Sequence, residues 1–172
     1  MSEPSPQVTK SVWTQADLAS LGWHDCSVDA LALQSAPVGA SPAEGPGRLL
    51  IDLDYIIEWV RPTPPDKTFS FWICPSTLVF DHLWNVSGDL SVTHPPLTID
   101  AIKRCDPNQV SERELSYGHG PDWMLRGHEF TLELWGRGFT TYLRQRPILS
   151  AHLALGLDQR GAISFDERGF IA

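Results

Sequence analysis

Apolar and polar residues alternate most regularly between Leu49 and Trp59. Leu49, Ile51, Leu53, Tyr55, Ile57 and Trp59 fall on one parity, and Leu50, Asp52, Asp54, Ile56 and Glu58 on the other. Period two over eleven residues predicts a long strand with one buried face, carried by the first set. Arg61 to Thr68, with three prolines, turns the chain, and alternation resumes at Phe69, Phe71 and Ile73. Pro75 interrupts it, as suits a strand edge or a bulge. Leu78, Phe80, His82, Trp84 and Val86 make the next alternating set; Ser87-Gly88-Asp89 reads as a turn that returns Leu90–Thr93 against it. Leu97–Lys103 is a further short strand. Phe130, Leu132 and Leu134, then Gly136-Arg137-Gly138, then Phe139–Leu143 read as a hairpin.

Elsewhere the pattern is weaker. Ser27–Gln34 has apolar residues on both parities, so either both its faces are covered or a bulge intervenes. Ile148–Leu157 fits strand or helix equally, and Ile163–Ala172 fits a last edge strand. Thr14, with Asp17 three residues on and Leu18 and Leu21 at helical spacing, predicts one short helix ended by Gly22. Residues 1–12 read as a flexible N-terminal tail, 35–47 as a mobile Ser/Ala/Pro/Gly loop, and 105–127 carries little pattern. Eight or nine short strands without βαβ alternation predict a mainly β fold. Its form is an antiparallel sandwich or open barrel with one short N-terminal helix, forming a single domain over 13–172.

Composition narrows the partners. In 172 residues, 42% are hydrophobic, enough for a core at this size, and seven are tryptophan, which suits sheet faces and binding surfaces alike. The formal net charge of −8 argues against nucleic acid and against an anionic membrane surface, and permits a basic protein partner. Cys26, Cys74 and Cys105 form no CxxC pair and no disulfide framework, so they read as free thiols in a reducing compartment. With no basic and apolar leader at Met1–Pro6 and no apolar run of membrane-spanning length, a cytoplasmic protein is expected.

The candidate chemistry is sparse. Asp52 and Asp54, two apart on a strand, aim both carboxylates to one face about 7 Å apart, with Glu58 further along. With Leu50 and Ile56 among them they form a row that, if solvated, would meet a basic partner through charge and apolar anchors together. His24-Asp25, between the helix and the first strand, could serve base catalysis, although neighbours on extended backbone point apart. His119, Asp122 and His128 lie in a loop without metal-ligand spacing, and His82 falls on the apolar parity between Phe80 and Trp84, as a core histidine would. No phosphate loop, dinucleotide turn or nucleophile elbow is present, and neither a metal nor a cofactor is expected.

Trp23-His24-Asp25, the apolar run through Leu33, Leu49–Tyr55, Thr77–Phe80, Val86 and Asp89-Leu90 together resemble a group of small bacterial proteins similar to immunity proteins of polymorphic toxin systems. The resemblance spans about residues 22–145, departs from the pattern at the 35–47 insertion, and carries over no catalytic residues. It implies binding rather than chemistry: a non-enzymatic module that occludes a protein partner. The alternative is a small metal-dependent or acid/base hydrolase using His24 and Asp25 with Asp52 and Asp54, which requires those groups to converge.

Overall fold

The structure, a computed structural model, describes residues 5–35, 38–39, 47–91, 96–106 and 120–171. It is mainly β, as the alternation predicts. Among the described residues ten strands form one open antiparallel sheet: β1 (Val12–Thr14), β2 (Cys26–Ser35), β3 (Gly47–Val60), β4 (Ser70–Leu83), β5 (Asn85–Leu90), β6 (Leu97–Arg104), β7 (Trp123–Gly127), β8 (Phe130–Trp135), β9 (Gly138–Leu143) and β10 (Ile148–Ser150). The order across the sheet is β1-β9-β4-β3-β2-β6-β7-β8-β5, with β10 on β4. Among the described residues helix is confined to a 3₁₀ turn, Gln15–Ser20, and one turn of α-helix, α1 (Leu157–Arg160).

The sheet curls back on itself. Trp123 of β7 lies 5.5 Å, ring to ring, from Phe139 of β9, although four strands separate them in the sheet. Trp23 joins them, packing edge-on against both Phe139 and Tyr55. The enclosed core takes Leu49, Ile51, Leu53 and Tyr55 from β3, Leu78 and Phe80 from β4, and Leu125 and Leu134 from the far half. The strand predicted from Leu49 onward therefore has its register as read up to Tyr55. A bulge at Ile57 breaks the alternation, and Trp59, expected inside, is 43% exposed.

Local features follow from chemistry. Thr14 Oγ1 accepts from the Ala16 N–H at 3.3 Å and Asp17 accepts from the Thr14 N–H at 2.8 Å, a capping box at the predicted place, on a tighter helix than predicted. The mixed parity of β2 is a bulge at Asp29, between the pairs Val28↔Leu53 and Ala30↔Asp52. Pro75 is not at a sheet edge. It sits mid-strand in β4, where the neighbour on one side changes from β10 to β9, and its carbonyl accepts from the Arg144 N–H at 2.9 Å. Having no N–H, it cannot return that bond, and the β4–β9 ladder ends there.

Several expectations are corrected. Gly136-Arg137 does not close a hairpin: β8 pairs with β7 and β5, β9 with β4 and β1, so the chain crosses from one half of the sheet to the other there. The crossing passes close to the end of β4: a Cβ on Gly136 would stand 2.6 Å from Leu83 Cδ2 and 3.0 Å from the Asp81 carbonyl oxygen. Ser87-Gly88-Asp89 is not a turn but the middle of β5, paired with β8. His82 is only half-buried, at a left-handed φ of 54°, where the chain leaves β4 for β5; Trp84 beyond it is 46% exposed. Part of the span expected as an N-terminal tail is packed on the domain: Ser11 is buried, its Oγ accepts from the Ile171 N–H at 3.0 Å, and Val8 packs on the core. The loop expected at 35–47 and the turn around His119 fall largely outside the described residues.

Candidate functional site

The second face of β3 is where sequence and structure differ most. Asp52 and Asp54 are fully buried, and Leu50 and Ile56 are 7% and 6% exposed. The solvated row of Leu50, Asp52, Asp54, Ile56 and Glu58 expected as a binding surface does not exist in that form; of the five, Glu58 alone is exposed. Over Asp52 and Asp54 lies the C-terminal segment, residues 151–171. It is neither the helix nor the edge strand that its sequence allowed. After the short β10 it crosses the sheet as an irregular strap with α1 in its path.

The strap is held by charge. Arg160, 1% exposed, donates from Nη1 and Nη2 to Asp52 at 2.9 and 2.8 Å, and from Nε to Asp54 at 3.1 Å. Its Nη2 also lies 3.1 Å from Asp29, the bulge residue of β2. Arg144, from the end of β9, donates to Asp52 at 2.7 Å and to Thr77 at 3.0 Å, and bonds the Ser164 carbonyl. The strap backbone completes the set: the Leu155 N–H donates to Asp54 at 2.7 Å and the Ser164 N–H to Asp52 at 2.9 Å. A second clamp follows, Arg48 reaching Glu167 through both Nη atoms at 2.8 and 2.5 Å and Asp81 through Nε at 2.7 Å. Lastly the Phe170 N–H donates to the Leu143 carbonyl at 2.9 Å.

Three carboxylates, Asp29, Asp52 and Asp54, thus face two guanidiniums. Asp52 accepts four charge-assisted or backbone bonds, while Asp54 accepts two. Burial raises the Asp54 carboxyl above the usual carboxylate range against the pull of Leu155 and Arg160, and burial likewise raises Asp29. The guanidinium of Arg160 remains charged. These carboxylates are engaged groups inside the molecule, which leaves no open oxygen on Asp52 for base catalysis.

His24 and Asp25 lie elsewhere. Asp25 has a left-handed φ of 63°, and this turn brings neighbouring side chains together that extended backbone would part: His24 Nδ1 is 2.7 Å from Asp25 Oδ2. The His24 side chain is 73% exposed. Its ring stands 6.2 Å from Trp59, which in turn meets Phe69 at 5.9 Å and Phe71 at 5.0 Å, all edge to face. So the pairs His24/Asp25 and Asp52/Asp54, which a hydrolase would have to bring together, are separated by environment, one at the surface and one beneath the strap. Asp122 has a structural role: its Oδ2 accepts from the Gly136 N–H at 2.8 Å and its backbone bonds Leu134 and Cys105. His128 is exposed, with its N–H on the Thr98 carbonyl. Among the described residues no group of three His, Cys, Asp or Glu is arranged to hold a metal ion, and no helix is long and apolar enough to cross a membrane.

The aromatic cluster is the surface feature that the sequence reading missed. Trp59 and Phe69 are 43% and 42% exposed at the distal end of the β3–β4 pair, with Glu58, Arg61, Asp66 and Lys67 exposed around them. The signal was available in the three-proline turn between two aromatic residues, but the period-two count assigned Trp59 to the core. No family model matches the chain, and no curated protein or solved structure matches it significantly.

Proposed function

We propose that this chain is a non-enzymatic binding module, of the kind that immunity proteins represent, and that it occludes a protein partner in the cytoplasm through the aromatic end of the β3–β4 pair. The observation that carries this reading is the exposed edge-to-face set His24, Trp59 and Phe69 on two long paired strands. Large rigid aromatics ringed by charged side chains are the usual anatomy of a binding hot spot, an apolar centre with a polar rim. The net charge of −8 favours a basic partner and speeds encounter with it at low salt. The hydrolase alternative has no support of this kind, since Asp52 and Asp54 are engaged by arginine.

The test uses the product of the neighbouring reading frame as the probe. If it is toxic when expressed alone, co-expression of this chain should restore growth, and a Trp59→Ala/Phe69→Ala variant of unchanged melting temperature should not. Equal rescue by both proteins would reject the aromatic surface. Failure of the unaltered chain to bind or to rescue would reject the immunity-type reading.

A further inference from the structure

We propose that the free edge of β2 from Ala30 to Ser35 is a self-association site, where a second copy of this chain adds its own β2 antiparallel about a two-fold axis at Ala32. The inference goes beyond the binding reading above and does not depend on it.

The sheet splits beside β2. Against β6, β2 pairs at Cys26, Ser27 and Val28, and the bulge at Asp29 follows. Past the bulge β2 keeps an unbroken ladder with β3, from Ala30↔Asp52 to Ser35↔Gly47, and among the described residues no strand pairs with its other side. Pro96, next in line on the β6 side, has no N–H with which to continue that ladder. The backbone groups that alternate residues turn away from β3 are a template for another strand. Leu33 marks the opening. It shares a face with its partner Leu49, yet it is 69% exposed where Leu49 is 3%.

Proteins ordinarily blunt such edges with charge, proline, bulges or short length, and the other free edges here are blunted. β1 and β10 have three residues each. β5 carries Asp89 and a Gly88 at a φ of 137°. β6 beyond Ile99 carries Asp100, Lys103 and Arg104, and β3 beyond Asp54 carries Glu58 and the bulge at Ile57. Ala30-Leu31-Ala32-Leu33-Gln34-Ser35 has no charge and no proline.

The same lack of charge selects the occupant. A basic partner finds no carboxylate in this run, and Asp29 at its start already lies 3.1 Å from Arg160 Nη2. A second copy fits. With the axis at Ala32, Leu33 stands opposite Leu31 of the copy, Ala30 opposite Gln34 and Asp29 opposite Ser35. No like charges then face each other, and the exposed Leu33 gains an apolar cross-strand neighbour. An axis at Leu31 would set Asp29 against Leu33 instead. Main-chain bonds supply the affinity and the leucine pair the register. Leu49, beside Leu33, stands roughly 30 Å along β3 from Trp59 at the usual strand rise, so both surfaces can be occupied together.

Sedimentation equilibrium of the unaltered chain from about 1 to about 100 µM tests this. The dimer should gain as the protein is concentrated, and a monomer throughout would overturn the proposal. Higher salt should tighten the dimer, because it screens the net charge of −8 on each chain while the uncharged edge loses nothing. A dimer that weakens as salt rises would be held by charge and would equally overturn it. Leu33→Lys, at a position already exposed, should leave the far-ultraviolet circular dichroism spectrum unchanged and the chain monomeric; a dimer as stable as before would remove the edge from the contact. Disulfide trapping in a Cys105→Ser background checks the axis. Ala32→Cys stands opposite its own copy with Cα atoms about 4.5–5.5 Å apart, within disulfide reach, and should cross-link on oxidation. Gln34→Cys, about 14 Å from its copy, should not, and equal cross-linking of the two would reject the register. Trp59→Ala/Phe69→Ala should dimerise as the unaltered chain does, so failure here is distinct from failure of the aromatic surface.

Discussion

Arg160→Met removes the guanidinium and keeps a stem of similar reach. Four contacts vanish: two to Asp52, one to Asp54 and one to Asp29. Asp52 keeps Arg144 and the Ser164 N–H, so the group left in want of a partner is chiefly Asp54, held then only by the Leu155 N–H. Breaking a buried pair by removing one member costs about 3–5 kcal/mol, because a buried charge is left uncompensated. With Asp52 still served, the lower part of that range applies, about 3–4 kcal/mol. In a chain of this length each kcal/mol moves the melting temperature by about 2–4 °C, so a fall of about 6–16 °C is expected. Urea denaturation at pH 7 measures it as a lower midpoint at unchanged slope. Replacing both partners, as in Arg160→Met/Asp54→Leu, should recover at least half of the loss, since apolar substitutes of similar volume remove the unpaired charge. The surface control is Arg168→Met, which breaks an exposed, solvent-screened pair with Asp166 and should leave the urea midpoint nearly unchanged. A loss at Arg160 no larger than at Arg168 would refute the buried network.

Asp54 and Asp29 are raised by burial, so the folded state holds protons that the unfolded chain releases above the ordinary carboxylate value of 3.8. The stability they contribute is fully present below 3.8 and is lost as pH rises through their folded values; the difference between the unaltered chain and Asp54→Asn should therefore shift in favour of the unaltered chain as pH falls from neutral toward 4, and a shift the other way contradicts the assignment. Leu53→Asp should abolish folding, because Leu53 is fully buried in the enclosed core, whereas Glu58→Asn should leave the melting temperature within about 2 °C by thermal scan. Ala162→Gly should stabilise the chain by up to about 1 kcal/mol in urea, since glycine adopts the left-handed conformation without a Cβ clash; destabilisation would show that the strap is not strained there. Burial pushes the Cys26 and Cys74 thiols up to about 12, so only Cys105 should react with a thiol reagent at pH 8, and two or three fast equivalents would contradict the packing.

The strands were legible because alternation is a local signal. Leu49 to Tyr55 lie in a long strand as the pattern requires, Phe71 to Phe80 lie in one strand that runs through the interruption expected at Pro75, and the Thr14–Asp17 cap lies where its spacing puts it. What covers the second face of β3 was not legible, because period two reads the same whether the polar parity meets water or arginine. The partners that decide it, Arg144 and Arg160, stand 92 and 108 residues away from Asp52. Leu50 and Ile56 on the acidic parity were the available hint, since apolar residues flanking two aspartates favour a face covered on both sides. The β8–β9 crossing escaped for a related reason: Gly136-Arg137-Gly138 resembles a hairpin turn, and the pairing of β9 with β4 and β1 rather than with β8 is decided by strands remote in sequence. Trp59 was assigned to the wrong environment by one residue of bulge at Ile57, which reverses every parity beyond it.

The Asp52/Asp54 face as a closed, arginine-filled interior is the claim on which the site assignment and the strap both depend. The Nε–H resonance of Arg160 reports on it directly in a nitrogen-edited NMR spectrum at pH 7. With its Nε 3.1 Å from Asp54 and its side chain fully buried, that proton should exchange with water far more slowly than the Nε–H of Arg168, whose side chain is 85% exposed. It should also show cross-relaxation to the Leu155 amide, which shares the Asp54 carboxylate. An Arg160 Nε–H that exchanges as fast as that of Arg168 would mean that the strap does not close over the aspartates.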